Sequence, residues 1–289
     1  MQNEPLDTLK GHWRAVEDAG FDSLWLIDHL MEFPKMGALL EAWTTLAALA
    51  TSTSRIRIGT LVTNITYRNP ALLAKEAITV DHLSAGRLEL GVGAAGTRPA
   101  DADVAGVEEW SGVERVGRFG EFVEMLDGLL AGRIQAHEGR YYRTKGFARG
   151  PWPVQQPRPP LSIAAHGPKT LRIAARFADT WNVMAGFGRS GEGLVRFLSE
   201  CNARLDELAE KNGRQPGDIR RSVLVLNSGF GWWKSTEALS DFLGTMRDTG
   251  MQDFVFYYPP YGEAAGAIDA SGLLTLLADV ALGGRVTPT

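Results

Sequence analysis

Apolar positions along the chain switch between two spacings. Short runs such as "DSLWLID" (Asp22–Asp28), "RIRIGTLV", "RLELGVGAA", "LSIAAHG", "DTWNVMAG", "IRRSVLVLNSGF" and "DFVFYY" have the length and apolar content of buried strands. Between them lie longer stretches with apolar residues every three or four positions. "LDTLKGHWRAVEDAG" ends on Gly20, a residue suited to a helix C-terminus, and "RNPALLAKEAITVDHLSAG" places Pro70 in a first helical turn. "LLEAWTTLAALATST" reads as another helix. Val113, Val116, Phe119, Phe122, Val123, Leu126 and Leu130 draw one stripe of a long surface helix, with Glu114 and Arg118 spaced to pair across one turn. Further helices are predicted from Lys169, over Leu194–Leu208, over Leu239–Met246 and around Leu273–Leu282.

This alternation predicts an α/β fold in which helices wrap a mostly parallel sheet. The 289 residues suit one (β/α)8 TIM barrel over residues 1–289, since such barrels run to ~250 residues before insertions. A Gly-, Pro- and aromatic-rich insertion, about 134–159, is expected to hold a small hairpin. The pattern supplies seven strands where a closed barrel needs eight. Residues 1–5 are polar and too short for a strand, so the first strand is apparently missing or outside this chain. A doubly wound sheet is the runner-up, but no G-x-G-x-x-G follows the first strand. "GVGAAG" (Gly91–Gly96) comes closest, yet it neither opens a helix at once nor has a clear acidic partner ~20 residues on.

Composition narrows the function. With 30 Lys and Arg against 34 Asp and Glu, the net charge of −4 gives no general attraction to nucleic acid or an anionic membrane. No apolar run approaches the ~20 residues of a membrane span, and no secretory leader is evident at the N-terminus, so a cytoplasmic location is expected. The single cysteine, Cys201, falls on an apolar helical stripe and is expected to pack in the core. Five scattered histidines without paired spacing predict no metal site.

Two stretches carry candidate chemistry. "IAAHGPKTLRIAARFADTWN" (Ile163–Asn182) leads a strand into a tight turn and a helix opened by Pro168, an arrangement that points free amides and a helix dipole at an anion. "WLIDHLMEFP" places Asp28 and His29 at a strand end, where an imidazole beside a carboxylate can move a proton. The alternative is a helix cap and a satisfied polar group. Several strands end in Gly or Ala, which either merely turn the chain or let a flat ligand approach the backbone.

"VEDAGFDSLWLIDHL", "RIRIGTLVTNITYRNPALLAKEAITVDHLSAGRLELGVGAAG", "GVERVGRFGEFVEMLDGLL" and "PLSIAAHGPKTLRIAARFADTWN" together resemble the bacterial luciferase-like superfamily of (β/α)8 flavin and deazaflavin oxidoreductases, over about Ala15–Asn182. The "DHL", "YRNP" and "ADTWN" features are similar to the branch using coenzyme F420, a hydride-carrying deazaflavin. That resemblance implies an F420-dependent oxidoreductase acting on a small organic substrate, expected as a homodimer without nucleic-acid or membrane partners. It places Asp28 and His29 beside the deazaflavin, with His29 in acid–base chemistry or cofactor positioning. It implies a non-proline cis peptide at Leu61–Val62, a ring lying against Leu61, Val62 and Gly93, and a phosphate at Ala165, His166, Gly167 and Pro168. The family commonly has Gly where His166 stands, so the imidazole is expected to add a proton-dependent contact to the phosphate. Trp25, Trp43, Trp110 and Trp181 are candidate pocket walls, and for Trp43 a core role weighs as much. An FMN-dependent, luciferase-like monooxygenase is the alternative function, and a non-catalytic ligand-binding barrel the third. The absent first strand would leave a sheet edge needing cover.

Overall fold

A computed structural model of the chain describes residues 2–32, 37–95, 99–148, 150–186 and 188–281. Phe33, Pro34, Gly96 and Leu282, named within the sequence patterns above, lie outside these. The seven expected strands form as β1 (Ser23–Leu26), β2 (Arg57–Asn64), β3 (Leu88–Gly93), β4 (Leu161–Ala164), β5 (Thr180–Ala185), β6 (Arg220–Val225) and β7 (Asp253–Phe256). They pair in chain order and every pair is parallel. Parallel neighbours require a crossover between strands, and the amphipathic segments supply it. The described helices are α1 (Leu6–Asp18), α2 (Ala42–Ser52), α3 (Pro70–Leu83), α4 (Pro99–Ala105), α5 (Gly112–Leu130), α6 (Pro168–Phe177), α7 (Gly191–Lys211), α8 (Thr236–Asp248) and α9 (Ala270–Ala281). None of them is long and apolar enough to cross a membrane.

The sheet curls as an α/β barrel that does not close, because among the described residues no strand pairs β1 with β7. At the C-terminal end of β1 the outer edge is covered by one side chain. The buried Gln2 amide accepts a hydrogen bond from Ile27 N–H at 2.8 Å and donates to the Leu40 carbonyl at 3.0 Å, while Leu40 N–H returns a bond to the Gln2 carbonyl. The Ile27 N–H at this edge is satisfied without another strand.

Helix stripes behave as their spacing requires, with one exception. Phe119, Phe122, Val123, Leu126 and Leu130 of α5 are fully buried, but Val113 is 73% exposed. It sits in the first turn of α5, before the helix reaches the core. The Glu114–Arg118 pair forms at 2.8 Å. Between α5 and β4, the expected hairpin pairs His137–Glu138 with Arg143–Thr144, and the Glu121 carboxylate of α5 accepts the Tyr141 and Tyr142 amides of its turn. Cys201 is half-buried on α7, and burial pushes its thiol up, which suits packing and not nucleophilic work.

The β2–β3 pair contains the irregularity that shapes the functional edge. The Leu61–Val62 peptide is cis, and the register of β2 on β3 shifts between Thr60 and Thr63. Two glycines of β3 give this bulge its room. A Cβ on Gly91 would lie 1.8 Å from the Thr60 carbonyl oxygen, and one on Gly93 would lie 2.4 Å from Val62 Cγ2. Gly93 therefore makes space for a valine of the neighbouring strand, whereas the sequence reading had it admit a ligand to the backbone. Thr60 and Thr63 hydroxyls bond each other at 2.7 Å inside the bulge, and Trp43 Nε1 donates to Thr63 Oγ1 at 3.2 Å. Replacing Gly91 with Ala is expected to cost about 2 kcal/mol or more, the scale of forced overpacking in a core, read as a lowered denaturant midpoint at unchanged m-value.

Candidate active site

Because all strands run the same way, their C-terminal ends share one edge, the edge at which parallel α/β barrels bind ligands. Asp28 and His29 follow β1, Leu61–Asn64 close β2, Gly93 ends β3, and Ala165–Pro168 follow β4. A cleft open to solvent is lined at this edge by His29, Asn64, Thr66, Asp101, Ala102, Glu109, Trp110 and Arg115. Among the sequence-named candidates it takes His29 and Trp110. Ala165–Pro168 lie three strands along, roughly 14 Å at the usual strand spacing.

Asp28 and His29, adjacent in sequence, do not act as a pair. His29 Nδ1 lies 2.5 Å from Asp101 Oδ2, and since a carboxylate only accepts, Nδ1 carries the hydrogen. Asp101 belongs to α4, and its other oxygen accepts Leu30 N–H at 3.0 Å. Burial works to raise the Asp101 carboxyl, but His29 and the Leu30 and Met31 amides outweigh it and hold the group below the usual carboxylate range. The residue that orients His29 is therefore Asp101, and the expectation that Asp28 does so is corrected.

Asp28 faces inward. Its side chain is 1% exposed, and Arg68 grips it with both arms, Nε to Oδ2 at 2.6 Å and Nη2 to Oδ1 at 2.7 Å. Asn64 N–H donates to Oδ2 at 3.0 Å, tying the end of β1 to the end of β2. Tyr67 Oη donates to the Asp28 backbone carbonyl at 2.5 Å. Arg68 also reaches Glu41, the N-cap of α2, and Glu76 of α3 at 3.5 Å. Burial raises the Glu41 carboxyl, yet the Thr44 amide, Arg68 and further donors bring it down to about 2. Glu76, with burial first among the causes, is pushed up. Among the described residues no group of three or more His, Cys, Asp or Glu is arranged to hold a metal ion.

The phosphate-type turn differs from its sequence reading at His166. Met184 N–H of β5 donates to His166 Nε2 at 3.0 Å, so this nitrogen carries no proton. Burial, with the Arg189 charge next, lowers the imidazole to about 4. In this structure the ring is a neutral acceptor, and Nε2 is engaged by the backbone of β5, not by the proton-dependent contact expected of it. It takes the place of a backbone partner instead, since the Ala165 carbonyl is already occupied by Trp181 Nε1 at 2.9 Å. Gly167 starts α6 in extended geometry with no side-chain cap, and a Cβ there would meet no atom within 4 Å. That open space at a helix N-terminus fits an anion.

The tryptophans separate. Trp181 and Trp43 are core residues, 0% and 3% exposed. Trp25 packs over Gly59 and donates to Ser23 Oγ. Trp110 lines the cleft, with the Arg118 guanidinium 4.4 Å from its ring centroid. Sequence reasoning missed Asp101, Tyr67 and Arg68. Tyr67 and Arg68 stood in the "YRNP" feature without a role, and nothing in the spacing links Asp101 to a residue 72 positions earlier.

The family profile described as luciferase-like monooxygenase matches residues 1–227. The chain is 35% identical over 200 residues to an F420-dependent glucose-6-phosphate dehydrogenase of Beutenbergia cavernae, covering 66% of this chain and 57% of that protein. It is 33% identical over 202 residues to an F420-dependent hydroxymycolic acid dehydrogenase of Mycobacterium tuberculosis, covering 68% and 54%. The chain thus spans little more than half the length of these relatives. Among solved structures, the coenzyme F420-dependent tetrahydromethanopterin reductase of Methanopyrus kandleri superposes with a TM-score of 0.75 at 17% identity, over 96% of this chain and 95% of that one. An F420-dependent secondary alcohol dehydrogenase gives 0.78 at 17% identity, over 98% and 96%, and these two likenesses establish the fold.

His166 has a measurable consequence. An unfolded histidine titrates near 6.5 and the folded one near 4, so between these values the unfolded chain binds a proton that the native state refuses. Its contribution to stability is intact above about pH 6.5 and is lost as pH falls toward 4. His166→Gln keeps an acceptor for Met184 N–H and does not titrate. Between pH 7 and pH 5, urea unfolding is expected to show the native chain losing on the order of 2 kcal/mol more than the variant.

Proposed function

We propose that this chain, which belongs to the luciferase-like monooxygenase family, is an F420-dependent oxidoreductase that exchanges a hydride with a small organic substrate in the His29 cleft. The observation that carries the reading is the His29–Asp101 dyad at the mouth of an open barrel, on a chain whose relatives are F420-dependent dehydrogenases. F420, when bound, supplies a ring that accepts or gives a hydride.

The chain's own residues divide the remaining work. Oxidising an alcohol releases a hydride from carbon and a proton from oxygen. His29 takes that proton on Nε2, the ring nitrogen away from Asp101, and the Asp101 carboxylate stabilises the resulting imidazolium. In the reverse direction the same nitrogen returns it. Leu61 and Val62 at the bulge form the surface against which the ring rests, with Gly93 acting through Val62. Ala165, His166, Gly167 and Pro168 form the turn that presents the first-turn amides of α6 to a phosphate, and the His166 ring keeps that loop on β5. Trp110 forms one wall of the cleft.

Titration with F420 and with FMN, read by fluorescence, tests the cofactor: F420 should be quenched on binding, and binding of FMN alone would overturn the reading in favour of a flavin monooxygenase. Gly167→Val, whose added Cβ enters open space, should lower F420 affinity about tenfold or more, equivalent to about 1.4 kcal/mol, while the loss of a favourable N-cap lowers the melting temperature only slightly. His29→Ala should cut F420-linked turnover by roughly 10²–10⁴-fold, the usual value of a general acid–base, with F420 affinity nearly constant. Unchanged turnover would remove His29 from the chemistry.

A further inference from the structure

We propose that Tyr67 and Arg68, consecutive residues at the turn that follows β2, are positioning residues that fix the Asp28–His29 peptide and so aim the His29 imidazole into the cleft. The inference rests on the reading of His29 given above, and it assigns work to a pair of residues that are not among those lining the cleft.

The geometry is a two-point grip. Tyr67 Oη holds the Asp28 carbonyl, which is half of the peptide unit leading into His29, and Arg68 holds the Asp28 carboxylate through two parallel hydrogen bonds. A planar peptide fixed at its carbonyl has little freedom to rotate the following Cα, and a bidentate guanidinium fixes the preceding side chain in direction as well as distance. Both grips come from one short segment, the turn Ile65–Tyr67 and the residue after it. That segment is anchored in turn, since Asn64 Oδ1 accepts Thr66 N–H at 3.0 Å and Asn64 N–H itself bonds Asp28. On its far side Arg68 is braced by Glu41 and Glu76, whose charges hold the guanidinium in place.

Burial, with the Asp28 and Asp101 carboxylates following, pushes the Tyr67 phenol well up, so it stays a donor throughout the working range. Asp101 fixes the ring of His29 at Nδ1, and Tyr67 with Arg68 fixes its backbone through Asp28. Neither alone defines where the imidazole points. A side chain swings on its own Cα, so a ring held only at Nδ1 still moves with its backbone.

The test is NMR of the full chain carrying histidine labelled with carbon-13 at Cε1, with the His29 signal assigned by its loss in His29→Gln. In the native chain His29 should give one sharp signal. Tyr67→Phe removes a single hydroxyl from an otherwise intact ring, and Arg68→Lys keeps the charge but cannot form the fork. In both variants the His29 signal should split or lose about half of its height or more through exchange between ring positions. The signals of His12, His82, His137 and His166 should stay in place. An unaltered His29 signal in Tyr67→Phe overturns the proposal, and so does an equal change in all five histidines, which would mark the pair as merely structural. If Arg68→Lys does not fold, Tyr67→Phe decides alone. The readout is independent of turnover, so a failure here is distinguishable from a catalytically silent His29→Ala, which would sink the functional reading instead.

Discussion

A guanidinium withdrawn from water must be surrounded by acceptors, and most of the functional edge follows from how that requirement is met at Arg68. Its side chain is 11% exposed and touches Asp28, Glu41 and Glu76. These carboxylates come from the end of β1, the cap of α2 and the body of α3, so satisfying one cation joins the first two strands to the first two crossovers after them. Leaving one partner of such a pair alone in the interior costs about 3–5 kcal/mol, which makes the arrangement all-or-none. The carboxylates outnumber the cation, and the surplus charge is settled by solvent and by donors: Glu41 also caps a helix, and Glu76, the most weakly bonded, is pushed toward its protonated form.

Much of the fold was legible because two periodicities are hard to confuse over long stretches. All seven strands and the hairpin insertion fall where the apolar runs and the Gly- and Pro-rich segment place them. The cis bond at Leu61–Val62 came from resemblance, and no propensity argument would have found it. Val113 shows the limit of a stripe: the spacing was right, but helix periodicity carries no information about where the core ends.

The site was less legible, for a physical reason. "DH" names two side chains that diverge, Asp28 into the core and His29 into the cleft. Sequence adjacency suggested cooperation where the two side chains take different partners. The true partner of His29 arrives from α4, on another crossover, through a contact no local rule encodes. His166 misled in the same manner. Its residue type suggested a charge, while its surroundings select a neutral acceptor that extends the β4–β5 ladder by one hydrogen bond. Gly93 and Gly167 are a matched contrast: the first is needed because a neighbour fills its space, the second leaves its space open.

The open edge has a bearing on precision. In a closed ring of strands each stave is held from two sides, and an error in one is averaged over both neighbours. Here β1, which leads into His29, pairs among the described residues with β2 alone, and a glutamine side chain meets its other edge at the functional end. The chain therefore behaves as a cantilever whose free tip bears the imidazole. The buried grip on Asp28 is the strut that stiffens that tip, standing in for the missing stave at the one place where a fraction of an ångström matters.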